Sequence, residues 1–403
     1  MKKLLSMILA VVMVLSLGAF ALADEPAEIT YWSTWNEGEP QANVIAEAAE
    51  AYEEETGIHV NIEWKGRDIN TLLSAALEAG EEFDLFDDDY NRIGQVYAPY
   101  TYDLTEMAEA AGYEGYACFN DQVVEWAGCL NSIAEQPQVG GVFYNKDAFE
   151  TAGIEAEPTT WAEFLDACQK LVDAGIAPLA QDGAYTNFSF YYHLVRYLGE
   201  DGIAELRDNG GWADNEQAVQ AAQDIIDLVN AGYLAEGAPD EYPASQTKVG
   251  LGTAAMVVCA NYVTAEVNAA VGEEVNWGLF NYPAVDGGAE PTAAYAGANS
   301  LAIPSYSEHA QEAFDFIMFL VTGEYDQKMA DEAAQIPADP SNTAPASLTG
   351  TIETLQAAAK PMTWCGSLNT HAAWGDMKTM FTVLFEGKYE TGADFCAAMD
   401  ALY

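Results

Sequence analysis

Two short runs combine flat aromatic rings with planar polar groups. Ser33-Thr34-Trp35-Asn36-Glu37-Gly38 sets an indole beside an amide and a carboxylate. Asp87-Asp88-Asp89-Tyr90-Asn91-Arg92 sets three carboxylates and a phenol beside an amide and a guanidinium. Such mixtures suit a ligand with C–H faces and hydroxyl edges, as a sugar has. Aromatic planes pack on the faces, while carboxylates, amides and guanidinium groups bond adjacent hydroxyls in pairs. The chain holds 9 Trp and 22 Tyr, of which Tyr185, Tyr262, Trp364 and Trp374 are further candidates to line a facing surface. A single Trp or Tyr more often serves ordinary packing, so the weight rests on the two mixed runs. An acidic triplet such as Asp87–Asp89 is ordinarily a solvated turn, and it lacks the regular alternation of an EF-hand calcium loop.

Signatures of bond-breaking chemistry are missing. The sequence contains no G-x-S-x-G elbow, no H-E-x-x-H helix and no G-x-x-x-x-G-K-[ST] phosphate loop. A glycoside hydrolase needs only two facing carboxylates, which have no fixed spacing in sequence, so 64 acidic residues leave that alternative open. No two cysteines stand in C-x-x-C spacing and the four histidines are scattered, so neither metal nor cofactor is called for.

The elements around the two runs decide whether they can meet. Glu28–Trp32 reads as a strand. Pro40 opens a helix with Val44, Ile45, Ala48, Ala49 and Tyr52 at helical spacing, closed by Gly57. Ile58, Val60, Ile62 and Trp64 alternate as a strand does. Asp68 is expected to cap a second helix, stopped by Gly80, and Phe83–Phe86 to form a third strand. The order β-α-β-α-β implies a parallel sheet with right-handed crossovers. Ligands bind beyond the carboxyl ends of such strands, which puts both mixed runs on one rim.

A second α/β series starts near Val139. It has a strand at 141–144, a capping box of Thr160 and Glu163 opening a helix to about 174, a short strand at 176–180 and a helix over 188–198. Asp214 and Gln217 mark another capped helix, and strands are expected at 254–259 and 275–280. A turn-rich stretch at 282–291 is a crossing point, followed by a strand around 300–303 and an apolar helix over 308–321. Residues 337–345 form a second turn-rich connector, with helices expected at 348–359 and 371–386. More than one connector joins the two series. They therefore read as lobes that exchange chain segments, residues 24–136 with 284–335 and residues 137–283 with 336–403, and that close on a ligand about a hinge.

Composition bounds the setting. Lys2 and Lys3, an apolar run over 4–20 and Ala21-Leu22-Ala23 form a secretory signal peptide over residues 1–23. A formal net charge of −50 repels phosphate backbones and anionic lipid, which argues against nucleic acid and membrane-surface partners. The same charge, with Asp87–Asp89, motivates an alternative ligand, a polyamine or other cation. Export permits disulfides among the six cysteines; Cys118 and Cys129 are the first pair to test, while Cys168 continues an apolar helix face and reads as core.

Several segments, taken in order, resemble one family. They are Val142-Phe143-Tyr144-Asn145-Lys146-Asp147-Ala148-Phe149, Ala152-Gly153-Ile154, Pro158-Thr159-Thr160-Trp161-Ala162-Glu163-Phe164, Gly252-Thr253-Ala254-Ala255-Met256, and Gly297 to Pro304 with Ala313-Phe314-Asp315-Phe316. Together they are similar to the extracellular solute-binding proteins of carbohydrate ABC importers, the maltose-binding-protein-like group, over about residues 29–389. The resemblance implies an α/β periplasmic-binding-protein fold with two lobes, a multi-strand hinge and an interlobe cleft. It also implies a monomer without catalysis that hands a sugar to a membrane permease. By position, Trp35, Asn36 and Glu37 match the family's first-strand loop, and Asp89 and Arg92 its acid-and-arginine loop. Tyr185 matches an aromatic contact of the second lobe, and Trp374 a tryptophan that stacks on sugar. Tyr262 stands where the family often has tryptophan, here after Ala260-Asn261. Gram-positive members usually carry a lipobox cysteine at the cleavage site, whereas the first cysteine here is Cys118. The expected place is thus a periplasm, or outside the cell without that anchor.

Overall fold

Nine strands form one hydrogen-bonded sheet among the described residues of the computed structural model, which are 28–348, 350–357 and 361–403. The signal-peptide reading lies outside the described residues. The strands are β1 (Glu28–Ser33), β2 (His59–Trp64), β3 (Leu85–Asp89), β4 (Ile133–Asn145), β5 (Ala177–Ala180), β6 (Ala254–Ala260), β7 (Trp277–Phe280), β8 (Ala294–Ala302) and β9 (Pro361–Met362). Their order is β2-β1-β3-β8-β4-β6-β5, with β7 on β4 and β9 on β8.

Local signals explain the first lobe. Pro40 starts the helix Pro40–Thr56, and Gly57 ends it in the left-handed conformation at φ 78°. Its apolar stripe packs with Phe314, Phe316 and Ile317 of the helix Ala310–Val321 in one core. Strands β2, β1 and β3 are parallel, as the β-α-β-α-β order requires, and β8 closes the set antiparallel to β3.

The hinge is built from two long strands. The first half of β4, Ile133 to Val139, pairs with β8 in the first lobe. Its second half, Gly140 to Asn145, runs among β6 and β7 in the second lobe. The switch falls between Val139 and Gly140. Glycine is needed there because a Cβ on Gly140 would meet Phe188 at 2.7 Å and Tyr295 at 2.9 Å. A third crossing is made by the chain beyond the helix Gly323–Ala333. The core at the junction mixes Tyr90 and Tyr116 with Val257, Cys259, Leu348 and Leu355.

The second lobe packs the helices Trp161–Asp173, Thr186–Asn209 and Glu216–Asn230 around its own core. The capping box of Thr160 and Glu163 is formed. Arg196, fully buried, donates to the carbonyls of Tyr282, Glu290 and Ala293 and to Asn281 Oδ1, at 2.7 to 3.1 Å. It thereby holds the segment that leads into β8.

Four expectations need correction. β3 runs on to Asp89, so the acidic triplet is strand, with Asp87 and Asp88 buried. Asn215, one residue past Asp214, caps the helix Glu216–Asn230 by accepting from Gln217 and Ala218 N–H. Asp68 gives no side-chain cap and lies in a short 3₁₀ turn before its helix, Ile69–Ala79. All six cysteines are free, Cys118 and Cys129 included, and Cys168 is buried in the core as expected. No helix among the described residues is long and apolar enough to cross a membrane.

Candidate functional site: an interlobe cleft

The rim of the first lobe is shaped by Asp87. Its buried carboxylate accepts from Tyr31 Oη at 2.5 Å and from the backbone N–H of Thr34 at 2.8 Å, tying the loop after β1 to the end of β3. Burial pushes Asp87 up to about 6, against the pull of these hydrogen bonds. Beyond Thr34, the ring of Trp35 lies 4.7 Å from the Arg67 guanidinium, and its Nε1 is buried without a partner. Asn36 and Glu37 are exposed. Asn36 spends its Nδ2 on Glu39 at 2.8 Å, and its Oδ1 occupies the space a Cβ on Gly66 would need, 2.5 Å away. Glu37 projects from the loop into solvent.

The triplet Asp87–Asp89 divides its work. Asp88 is buried and clamps the Arg92 guanidinium, one contact being Arg92 Nε to Oδ2 at 2.9 Å. That hydrogen bond, more than any other influence, raises the Arg92 pKa. Asp89 Oδ1 accepts from the N–H groups of Asn91 and Arg92, at 3.0 and 3.3 Å, and caps the short turn Tyr90–Arg92. Burial raises the Asp89 pKa, with Arg92 opposing. Asn91, the amide of the second mixed run, carries a buried Oδ1 without a hydrogen-bond partner. A buried acceptor without a partner costs free energy.

Facing that rim, an aromatic cluster draws on four separate stretches, three of the second lobe and one of the shared strand β8. Tyr185 ends a 3₁₀ turn before the helix Thr186–Asn209, and Tyr262 begins the helix Tyr262–Val271 after β6. Trp364 follows β9, and Tyr295 is on β8. Trp364 lies flat on Phe188, with centroids 4.1 Å apart and planes at 8°, and meets Tyr295 and Tyr185 edge-on at 5.6 and 6.0 Å. Tyr185 sits 6.2 Å from Tyr262 and 5.8 Å from Tyr242, which is 43 % exposed. One face of Trp364 is therefore covered, and its neighbours fix its tilt.

The hinge connects the two sides. Tyr295 Oη donates to Gln138 Oε1 at 3.3 Å, on the shared strand β4. Burial raises the Tyr295 pKa, and the charge of Asp89 adds to that rise.

Trp35, Asn36, Glu37, Asp89 and Arg92 thus lie on one rim, while Tyr185, Tyr262 and Trp364 share one cluster. Trp374 stands apart from that cluster: it opens the helix Trp374–Phe385, edge-on to Phe381 at 6.1 Å and with Lys378 Nζ 5.8 Å from its ring. Tyr242, Tyr295, Phe188 and Gln138 were not singled out by sequence. Only the high aromatic content hinted at the first three. Among the described residues, no group of three or more His, Cys, Asp or Glu side chains is placed to hold a metal ion. The arrangement offers stacking surfaces and hydrogen-bonding groups, the equipment of binding.

A family model for bacterial extracellular solute-binding proteins matches residues 34–327. A maltooligosaccharide ABC transporter solute-binding lipoprotein of Streptococcus pneumoniae (strain ATCC BAA-255 / R6) is 24 % identical over 322 residues, covering 73 % of this chain and 69 % of its own length. The bacterial solute receptor AcbH, described with a substrate preference for β-D-galactopyranose, superposes with a TM-score of 0.76 at 16 % identity, over 94 % of this chain and 98 % of that one. The apo form of RafE from Streptococcus pneumoniae gives 0.75 at 17 % identity, over 95 % and 98 %.

Proposed function

Because the chain belongs to the bacterial extracellular solute-binding proteins, we propose that it captures a sugar or oligosaccharide outside the cytoplasmic membrane and delivers it to the permease of an ABC importer. The observation that carries the sugar reading is the aromatic cluster of Tyr185, Tyr262 and Trp364, on the lobe opposite the polar rim of Asn36, Glu37, Asp89 and Arg92. A sugar ring would stack on the first and hydrogen-bond to the second. The names of the pneumococcal maltooligosaccharide-binding relative and of the galactose-preferring receptor support the same ligand class.

The lobes are read as residues 24–136 with 284–335 and 137–283 with 336–403, crossed at β4, at β8 and beyond residue 335. Ligand bridging them stabilises the closed arrangement. The protein performs no bond-breaking step and acts as a monomer. Trp374 remains a candidate contact only if closure carries a ligand onto its helix. The cation reading loses part of its motive, since Asp87 and Asp88 are buried and committed to Tyr31, Thr34 and Arg92, and it keeps only the net charge and Asp89.

The test is a thermal-shift screen of residues 24–403 against maltotriose, raffinose, galactose, xylotriose, amino acids and spermidine, at low and moderate salt. A ligand that binds only the folded state raises the midpoint by mass action. A salt-insensitive shift with one sugar class supports the proposal and names the substrate. A shift with spermidine alone, weakened by salt, would replace it with the cation reading, and turnover of any oligosaccharide would overturn the binding-only view.

A further inference from the structure

The strand shared by the lobes is irregular at one residue. Along β4, Ala134 pairs with Ser300 of β8 and Gln136 pairs with Asn299, so Glu135 is an extra residue in a β-bulge. Bulges re-aim a side chain. This one carries a carboxyl into the interior: Glu135 is 2 % exposed, with Oε2 accepting from Asn299 Nδ2 at 3.0 Å and Oε1 from Gln136 Nε2 at 3.2 Å. Asn299 lies on β8, which pairs with β4 on one side and with β3 on the other, two residues before Leu301, the partner of Asp87, and Asp87 holds Thr34 and hence the loop bearing Trp35, Asn36 and Glu37. Strand β8 therefore has the hinge bulge on one side and, on the other, the strand whose carboxyl holds the first-lobe rim.

Resting on the ligand-capture reading above, we propose that Glu135 is a positioning residue for the cleft, whose protonation state, shared with Asp87 across β8, sets how the hinge holds the loop after β1.

The groups facing Glu135 come from every element around it: Asp87 from β3, Tyr31 from β1, Asn299 from β8, Gln136 from β4, and Asp326 from the helix Gly323–Ala333. Among the described residues neither Glu135 nor Asp87 is ion-paired with a Lys, Arg or His. Two uncompensated carboxylates beside each other in an apolar interior cannot both ionise cheaply. Burial first and the neighbouring Asp87 second push Glu135 up to about 8. A carboxyl raised in the folded state is favourable below the usual carboxylate range. That contribution drains away as pH rises through about 8. Alkali therefore places a second buried charge at the bulge, and moving the strands apart or admitting water relieves it.

The test uses residues 24–403 with Glu135 intact, with Glu135→Gln and with Asp87→Asn. Gln keeps an acceptor for Asn299 but does not ionise. Without ligand, the thermal midpoint and the radius of gyration from small-angle X-ray scattering are followed from pH 6 to 9.5. The unsubstituted chain is expected to lose midpoint and expand through pH 8, Glu135→Gln to stay level, and Asp87→Asn to move the transition to lower pH. With maltotriose as probe, affinity should fall by up to about tenfold between pH 7 and 9, the span of one ionisation near 8, and less than about twofold in Glu135→Gln. Parallel pH profiles in the unsubstituted and Glu135→Gln chains overturn the proposal. If Glu135→Gln does not fold, an unmoved transition in Asp87→Asn overturns it instead. Absence of maltotriose binding at every pH counts against the choice of sugar alone, because the ligand-free profiles still decide the role of Glu135.

Discussion

Replacing Arg196 by Met should cost about 2 kcal/mol of stability while leaving the fold recognisable. The methionine stem fills most of the volume of the arginine stem but removes every donor. Three backbone carbonyls, of Tyr282, Glu290 and Ala293, then lose the bonds that Arg196 supplies at 2.7 to 3.1 Å. Asn281 Oδ1 is spared, since it still accepts from Tyr282 N–H at 2.8 Å, and so is the Glu290 carbonyl, which still accepts from Ala293 N–H at 3.2 Å. A buried acceptor left unpaired costs about 1–3 kcal/mol, so the carbonyls of Tyr282 and Ala293 give a gross loss of roughly 2–6 kcal/mol. Against this, the fold no longer buries a cation without a carboxylate partner, which returns part of that loss. A net loss of about 2 kcal/mol corresponds to a drop in thermal midpoint of roughly 4–8 °C on the scale of mid-sized domains. Circular dichroism melts of residues 24–403 without ligand measure it. Arg196→Lys should recover less than half, because one ammonium does not reach oxygens spread around a planar fork. A midpoint within about 2 °C of the unsubstituted chain for Arg196→Met would refute the reasoning and show that water replaces the guanidinium.

Three other outcomes follow from the same contacts. Trp364→Ala should weaken sugar binding by about tenfold or more, since it removes a fixed stacking face, whereas Trp374→Ala should cost less than about threefold; equal losses by calorimetry would bring Trp374 into the cleft. Gly140→Ala should destabilise the chain by about 1–3 kcal/mol through overpacking against Phe188 and Tyr295, read as a lower denaturant midpoint; a neutral result would mean the hinge strand shifts freely. With every cysteine free and all but Cys129 buried, reductant should leave the thermal midpoint unchanged, and brief alkylation of the native protein should label Cys129 first by mass spectrometry.

The sequence by itself determined the elements whose cause is local. Pro40 and Gly57 bound a helix because one residue needs no N–H at a helix start and the other accepts a left-handed backbone at its end. Thr160 and Glu163 satisfy each other's backbone donors within four residues. The parallel order of the first strands likewise follows from alternating strand and helix periods. Tertiary structure decided what depends on distant partners. Asp87 and Asp88 look like a solvated turn until Tyr31, 56 residues away, and Arg92 arrive to satisfy them; with those partners, strand continues where propensity would end it. Tyr185, Tyr242, Tyr262, Tyr295 and Trp364 form one cluster only because β8 and β9 return beside the second lobe. The bulge that buries Glu135 has no signature of its own, because register is fixed by the pairing of two strands far apart in sequence rather than by either one.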